Sequence, residues 1–345
     1  MPYKVLVVDD SSLMRQLLTE ILSLDPELEV IGTASDPFVA REKIKALNPD
    51  VLTLDIEMPR MDGLTFLEKL MRGHPMPVVM ISSLTERGAE TTLRALSLGA
   101  VDYVSKPRLD VSNGTIEQTS EIIAKVKAAA RVKVRGVTTA VTGPVELASG
   151  CHFSATHKVV AVGSSTGGTE ALKDLLSPLP ADFPGLVMVQ HMPEAFTRPF
   201  SERLNSLCRI RVQEAKDGDR ILPGHALLAP GGHQMEVIRR GMEYAVRVYR
   251  GERVNRHLPS VDVLFSSCAK HLGKNAVGVL LTGMGADGAK GMLEMKEARA
   301  FTIAQDEATC VVFGMPREAI MLGAVDQILP LGRIPAALVQ RLGGT

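Results

Sequence analysis

Three residues of this chain have the types and surroundings that hydrolytic chemistry needs: Ser165, His191 and Asp287. Ser165 sits in Gly163-Ser164-Ser165-Thr166-Gly167, a match to G-x-S-x-G, between the apolar run VVAV and the helix-like TEALKDLL. A strand–turn–helix of this kind lifts a serine hydroxyl out of a sheet, and the N–H groups opening the next helix point toward a developing oxyanion. Taken alone, GSSTGG reads equally as a tight strand-to-helix turn or an anion-binding loop; it lacks the lysine of a P-loop and the G-x-G-x-x-G spacing. His191 follows the buried-type run LVMVQ, and Asp287 lies in the glycine-rich loop after AVGVLL. Each alone has a structural reading, His191 as a capping or core histidine and Asp287 as part of an Asp-Gly turn. Together they supply what serine lacks: a base for its proton and a carboxylate that fixes the base's tautomer. The order Ser…His…Asp differs from the Ser…Asp…His of α/β-hydrolases, so a serine hydrolase of another topology is expected.

A second group gathers in the first 130 or so residues. Asp9, Asp10 and Asp55 each close or follow a predicted strand, with Ser82 and Lys106 at the ends of two more. Clustered carboxylates repel unless a cation neutralises them, and oxygen-only ligands favour a hard ion such as Mg²⁺ over zinc. A carboxylate beside Mg²⁺ and a lysine is suited to accept a phosphoryl group. Separately, Asp9-Asp10 would be a capping pair, Asp55 a turn residue and Lys106 a surface charge.

The elements that must position these residues read as alternating strands and helices. In the first part, strands are predicted at 4–8, Glu29–Ala34, Val51–Leu54, Val78–Ile81 and Val101–Val104, with a helix from Ser11 or Ser12 and another over Pro37–Leu47. Such alternation predicts a doubly wound parallel sheet, whose strand ends meet along one edge where sites assemble. A helical pattern runs on from a Thr115–Gln118 capping box to a basic end at Lys125, Lys127, Arg131, Lys133 and Arg135. That basic end suits a helix C-terminus better than a nucleic-acid patch. Gly136 to about His157 lacks periodicity and reads as a linker.

With 345 residues, two domains are expected. Lys+Arg and Asp+Glu both total 39, so no strongly basic nucleic-acid surface is indicated. Cys151, Cys208, Cys268 and Cys310 have no paired spacing and read as free thiols. MPYKVLVVDD has no signal-peptide pattern and no segment is apolar enough for a membrane span, which leads us to expect a cytoplasmic protein without membrane insertion. A monomer is expected for want of a dimerisation element. His225, His233 and His257 lie in Gly- or Pro-flanked loops and read as surface or loop-packing residues; Arg256, in VNRHLPSVD, could meet an acidic substrate surface.

Residues 1 to about 130 resemble a two-component receiver domain, through VVDDS, LDIEMPRMDGL, the SS after the fourth strand and DYVSKP. The resemblance implies Asp55 as phosphoacceptor and Mg²⁺ held by Asp9, Asp10, Asp55 and the Glu57 carbonyl. It further implies phosphoryl contacts from Ser82 and Lys106, and Tyr103 as an aromatic that changes rotamer on activation. GSSTGGTEAL, QHMPEAFTRPFSERLN, VNRHLPSVDVLF, AVGVLLTGMGADGAKGML and AQDEATCVVFGMPREAI resemble the chemotaxis protein-glutamate methylesterases. This implies Ser165 as nucleophile, His191 as base, Asp287 as its orienting acid, Thr166 and Met284 beside the site, and the Met284 N–H as an oxyanion donor. Ser164, where that family often has alanine, adds a hydroxyl without displacing the nucleophile. Implied, too, are hydrolysis of glutamate methyl esters on chemoreceptors, deamidation of receptor glutamines, a chemotaxis histidine kinase as phosphodonor, and no cofactor in the catalytic half. The unphosphorylated receiver is expected to obstruct the Ser165 face. The expected fold is α/β: a flavodoxin-like receiver (1–130), a linker (131–157) and an α/β three-layer serine hydrolase domain (158–345). The competing reading is a response regulator whose second half only docks a partner.

Overall fold

Short apolar runs alternate with amphipathic helices along both halves of the chain, and each half folds them into its own parallel sheet. The computed structural model describes residues 1–83, 85–106, 115–132 and 157–343. The chain divides into two units, Met1–Ala140 and Val141–Thr345. Most of the expected linker, Cys151, Lys133 and Arg135 lie outside the described residues, as does the Thr115 side chain on which the Thr115–Gln118 capping box rests.

In the first unit, strands β1 (Tyr3–Val8), β2 (Leu28–Ala34), β3 (Val51–Asp55), β4 (Val78–Ser82) and β5 (Asp102–Ser105) alternate with helices α1 (Ser12–Leu22), α2 (Pro37–Leu47), α3 (Gly63–Gly73), α4 (Glu86–Ser97) and α5 (Thr115–Ala130). The sheet is parallel in the order β2-β1-β3-β4-β5. Strands β3 and β4 are buried throughout, as expected where helices cover both faces of a parallel sheet. The helices begin where short polar side chains satisfy their free N–H groups. Ser11 Oγ accepts from Met14 N, Asp36 from Phe38 N and Val39 N, and Asp62 from Thr65 N. The basic end of α5 is engaged within this unit: Lys127 pairs with Asp25 and Glu27, Arg131 with Glu27, and Lys125 with Asp102 and Glu121. These cations close the fold and do not form a free patch.

The second unit runs through β6 (Val159–Ser164), α6 (Gly168–Leu176), β7 (Gly185–Gln190), α7 (Glu194–Leu207), β8 (Arg211–Glu214) and β9 (His225–Leu228). A hairpin of β10 (Gln234–Arg240) and β11 (Glu243–Tyr249) follows, then α8 (Val261–Leu272), β12 (Ala276–Leu280), α9 (Ala289–Glu297), β13 (Phe301–Gln305), α10 (Met315–Met321), β14 (Gln327–Leu329) and α11 (Ile334–Leu342). Seven strands form one parallel sheet in the order β14-β13-β12-β6-β7-β9-β8, and β10-β11 pair separately. The chain leaves β6 toward β7 on one side and later returns to β12 on the other. That reversal makes the C-terminal end of β6 a switch point, where α/β sheets open a crevice. Beneath it lies a core that includes Val187, Val189, Leu264, Phe265 and Met292, all fully buried; each large apolar side chain so placed contributes on the order of 2 kcal/mol.

Candidate active site

The turn after β6 is held on three sides. Ser165 N donates to the Thr282 carbonyl at 3.0 Å, and Gly168 N closes the turn on the Ser165 carbonyl at 2.7 Å. Gly167 has φ +75°, in the left-handed region that glycine enters without penalty. At Gly168 a Cβ would stand 2.1 Å from Gln190 Oε1, so only glycine lets α6 start this close to β7. Gln190, the last residue of β7, donates from Nε2 to the Ser165 carbonyl at 2.9 Å and to the His191 carbonyl at 3.2 Å. The two loops that carry serine and histidine are thereby tied together. Ser165 itself remains partly exposed, whereas Ser164 is fully buried.

His191 and Asp287 meet directly: Nε2 donates to Asp287 Oδ2 at 2.8 Å, with both side chains almost completely buried. Asp287 accepts further bonds from Val261 N (2.6 Å), Ser260 Oγ (2.7 Å) and Asn255 Nδ2 (2.7 Å). Burial by itself would raise this carboxyl, but the His191 hydrogen bond and charge, with the Asn255 and Ser260 donors, hold it far below the usual carboxylate range. An ionised Asp287 fixes the proton of His191 on Nε2 and leaves Nδ1 as the acceptor. That Nδ1 is buried without a hydrogen-bond partner, so the Ser165 hydroxyl does not yet bond to it. Such bonds often tighten only when substrate binds.

Behind these residues, buried Thr282 donates from Oγ1 to the Thr166 carbonyl at 3.0 Å and accepts from Val312 N at 2.9 Å, while its N–H donates to Gln305 Oε1 at 2.8 Å. Thr166 is buried and Met284 partly exposed on the loop after β12; among the described residues no acceptor engages the Met284 N–H. His257, read from the sequence as a surface or loop-packing residue, packs on the site itself. Its ring stacks on His191, with centroids 3.6 Å apart and planes 8° from parallel. His225 and His233 do stay local, with Nδ1 against the Pro223 and Gly231 carbonyls, and Arg256 is exposed. Burial pushes the Cys208 thiol up to about 11 and Cys310 up to about 12, so neither is a ready nucleophile.

In the first unit the acidic cluster forms at the ends of β1 and β3. Ligand oxygens of Asp9, Asp10 and Asp55 all lie within 4.8 Å of one another. Lys106 Nζ stands 2.8 Å from Asp55 Oδ1 and 3.9 Å from Asp9 Oδ2. Asp9 Oδ2 and Asp55 Oδ2 are buried without any hydrogen-bond donor, a combination that fits a cation. Burial pushes the Asp55 carboxyl up to about 6 against the lowering effect of Lys106. Glu57 N approaches Asp55 Oδ1 at 3.4 Å. The Ser82 hydroxyl points to α4, accepting from Thr92 Oγ1 at 2.7 Å and lying 3.4 Å from the Gly88 carbonyl. It would have to turn to reach a group on Asp55. Tyr103 is buried in the sheet, with Lys125 Nζ 4.8 Å from its ring centroid.

The pattern of the CheB methylesterase family matches residues 160–338, and that of the response regulator receiver domain matches residues 5–112. This chain belongs to the CheB methylesterase family. A Geobacter metallireducens relative named protein-glutamate methylesterase/protein-glutamine glutaminase 1 is 58% identical over 98% of this chain and 95% of its own. A Pseudomonas aeruginosa relative, protein-glutamate methylesterase/protein-glutamine glutaminase 2, is also 58% identical, over 99% of this chain and 97% of its own. Among solved structures, the Thermotoga maritima CheB methylesterase catalytic domain superposes with a TM-score of 0.52 at 37% identity, covering 53% of this chain and 98% of that one.

As a CheB-family hydrolase with a receiver domain, the chain brings together residues that the sequence singled out: His191 bonds Asp287 beside the Ser165 turn, and Asp9, Asp10 and Asp55 cluster beside Lys106. The sequence did not single out Gln190, Asn255, Ser260 or Thr282. All four are polar residues at strand ends or in turns, where unpaired side chains are ordinary, and only the tertiary contacts give them a task. For Asn255 and Ser260 the one available signal is their position in the polar loop VNRHLPSVD.

Proposed function

We propose that this protein is a cytoplasmic, phosphorylation-activated esterase that hydrolyses glutamate methyl esters on chemoreceptors and deamidates receptor glutamines. The observation that carries the reading is the His191–Asp287 hydrogen bond at 2.8 Å beside a buried, unpartnered Nδ1, with a partly exposed serine on the neighbouring strand end. Ser165 Oγ attacks the side-chain carbonyl carbon while His191 Nδ1 takes its proton, and Asp287 balances the imidazolium that forms. The carbonyl oxygen, now an oxyanion, sits against backbone N–H groups near Thr166 and Met284, each such donor being worth on the order of 3 kcal/mol. His191 returns the proton to the leaving group, methanol from an ester or ammonia from an amide. Water then attacks the acyl-serine, again deprotonated by His191, to give glutamate and free Ser165.

Control falls to the receiver. Asp55 is the residue we assign as phosphoacceptor, with a chemotaxis histidine kinase as donor. Asp9, Asp10, Asp55 and the Glu57 carbonyl would hold Mg²⁺, and Lys106 and Ser82 would contact the phosphoryl oxygens. When bound, the ion offsets charge on the transferring phosphoryl group. Tyr103 is the residue we assign to report activation by changing rotamer.

Methanol release from methylated receptor membranes, with and without Mg²⁺ and a small phosphodonor, tests both halves. Release that rises with phosphodonor supports the whole reading; release without stimulation removes the control; no release from folded protein leaves a phosphorylated docking module.

A further inference from the structure

His257 lies flat on His191, with ring centroids 3.6 Å apart and planes 8° from parallel. It is brought there by a tight turn, Val254–His257, closed by His257 N to the Val254 carbonyl (2.8 Å) and Val254 N to the His257 carbonyl (3.0 Å). Both central residues have positive φ, Asn255 at +52° and Arg256 at +69°. Two consecutive non-glycine residues in the left-handed region persist only where the surroundings over-determine them, and such strain collects at functional sites. The turn delivers two contacts to one pair of residues. Asn255 Nδ2 bonds Asp287 Oδ1 at 2.7 Å, and the His257 ring covers His191.

The ring of His191 is held at one edge only, through Nε2 on Asp287, while Nδ1 has no partner. A ring fixed at one point can still swing about its χ2 torsion, which has a broad profile. A second flat ring in face-to-face contact removes that swing. We propose that His257 is a positioning residue: its stacked ring keeps His191 in the one orientation that holds Nε2 on Asp287 and turns Nδ1 toward the nucleophile. This rests on His191 being the base of the reaction. It also predicts that flatness at position 257 matters and a titratable nitrogen does not.

The test is steady-state methanol release by the full-length protein on methylated receptor membranes, with Mg²⁺ and phosphodonor present. His257→Ala is expected to lower kcat roughly 10- to 100-fold, by analogy with the loss of a group that orients a metal-ligating imidazole, with KM and thermal midpoint little changed. His257→Phe, which keeps a flat ring, is expected to recover most of that loss, and His257→Gln is not. Nitrogen-15 spectra of His191 are expected to show one tautomer in the wild type and a mixture in His257→Ala. Wild-type kcat in His257→Ala, a Phe variant as poor as Gln, or a rise in KM alone overturns the proposal. His191→Ala separates the two levels: retained turnover there defeats the base assignment itself, whereas loss there beside an unimpaired His257→Ala defeats only the stacking role. If alanine disturbs the loop, the Phe and Gln variants, close to histidine in volume, decide the matter by themselves.

Discussion

The Ser164 hydroxyl donates to Gln190 Oε1 at 2.7 Å, and the same amide donates through Nε2 to the Ser165 carbonyl at 2.9 Å. Of two adjacent serines, Ser164 is buried and bonded into the structure, and Ser165, partly exposed, is the nucleophile we propose. Ser164→Ala leaves a buried amide oxygen without its donor, at a cost of about 1–3 kcal/mol. It is expected to lower the denaturation midpoint while keeping esterase turnover within a few-fold. Ser165→Ala is expected to do the reverse, and paired melting and methanol-release measurements distinguish them.

Asp287→Asn replaces an acceptor for several donors with a group that must present an N–H to one of them. The substitution removes the charge that balances imidazolium and breaks the preference for Nε2–H. Turnover is expected to fall on the order of 10³- to 10⁴-fold, with a concurrent loss of stability because Val261 N, Ser260 Oγ and Asn255 Nδ2 compete for fewer lone pairs. A variant of wild-type stability and turnover contradicts the role given to this carboxylate.

Asp55 titrates high, at about 6, because burial disfavours its charge. A carboxyl whose folded pKa lies above its unfolded value holds more protons in the folded state between the two. Stability of the Mg²⁺-free receiver therefore falls as pH rises from about 4 to about 6. Carbon-13 titration of the Asp55 carboxyl is expected to give a midpoint near that value without Mg²⁺ and a much lower one with it. Asp55→Ala is expected to lessen the pH slope, which buried Asp9, also raised by burial, still contributes to, while leaving basal ester hydrolysis intact and abolishing stimulation by phosphodonor. A midpoint near the ordinary carboxylate value in Mg²⁺-free protein, or stimulation surviving in the variant, counts against the assignment.

Gly283 lies against Ser165: a Cβ there would stand 2.2 Å from Met315 Sδ and 2.8 Å from Ser165 Cβ. The methionine sulfur can move, but the serine cannot without leaving its place. Gly283→Ala is expected to cost about 1–3 kcal/mol from overpacking and to lower kcat more than it raises KM. Turnover at the wild-type level in a folded variant refutes the close packing.

The strands were legible because parallel-sheet strands are buried on both faces and appear as unbroken apolar runs, as in VVAVGS and AVGVL. Ser165 and His191 stood out as polar residues just past such runs, and Asp287 as the carboxylate in the glycine-rich loop that follows one. The short β8 and β9 and the β10–β11 hairpin were not anticipated: a strand of four residues such as RVQE has too few positions to show a period. His257 was passed over because its role depends on a neighbour 66 positions away in the chain that only the fold supplies. Ser82 illustrates the converse, a residue whose place at the end of β4 was evident but whose hydroxyl direction was set by Thr92 on the next helix.

Thr282 has a further consequence, for how the protein comes into being. Its hydroxyl joins the serine loop across 116 residues of chain, and Asp287 joins His191 across 96. During synthesis, serine and histidine leave the ribosome well before the strand that carries their partners. Contacts of such long sequence separation form late and slowly, so a nascent or clipped chain ending before β12 holds Ser165 and His191 but not the Asp287 that bonds His191. On the proposed roles, full activity therefore waits until β12 pairs with β6 and brings Asp287 to His191.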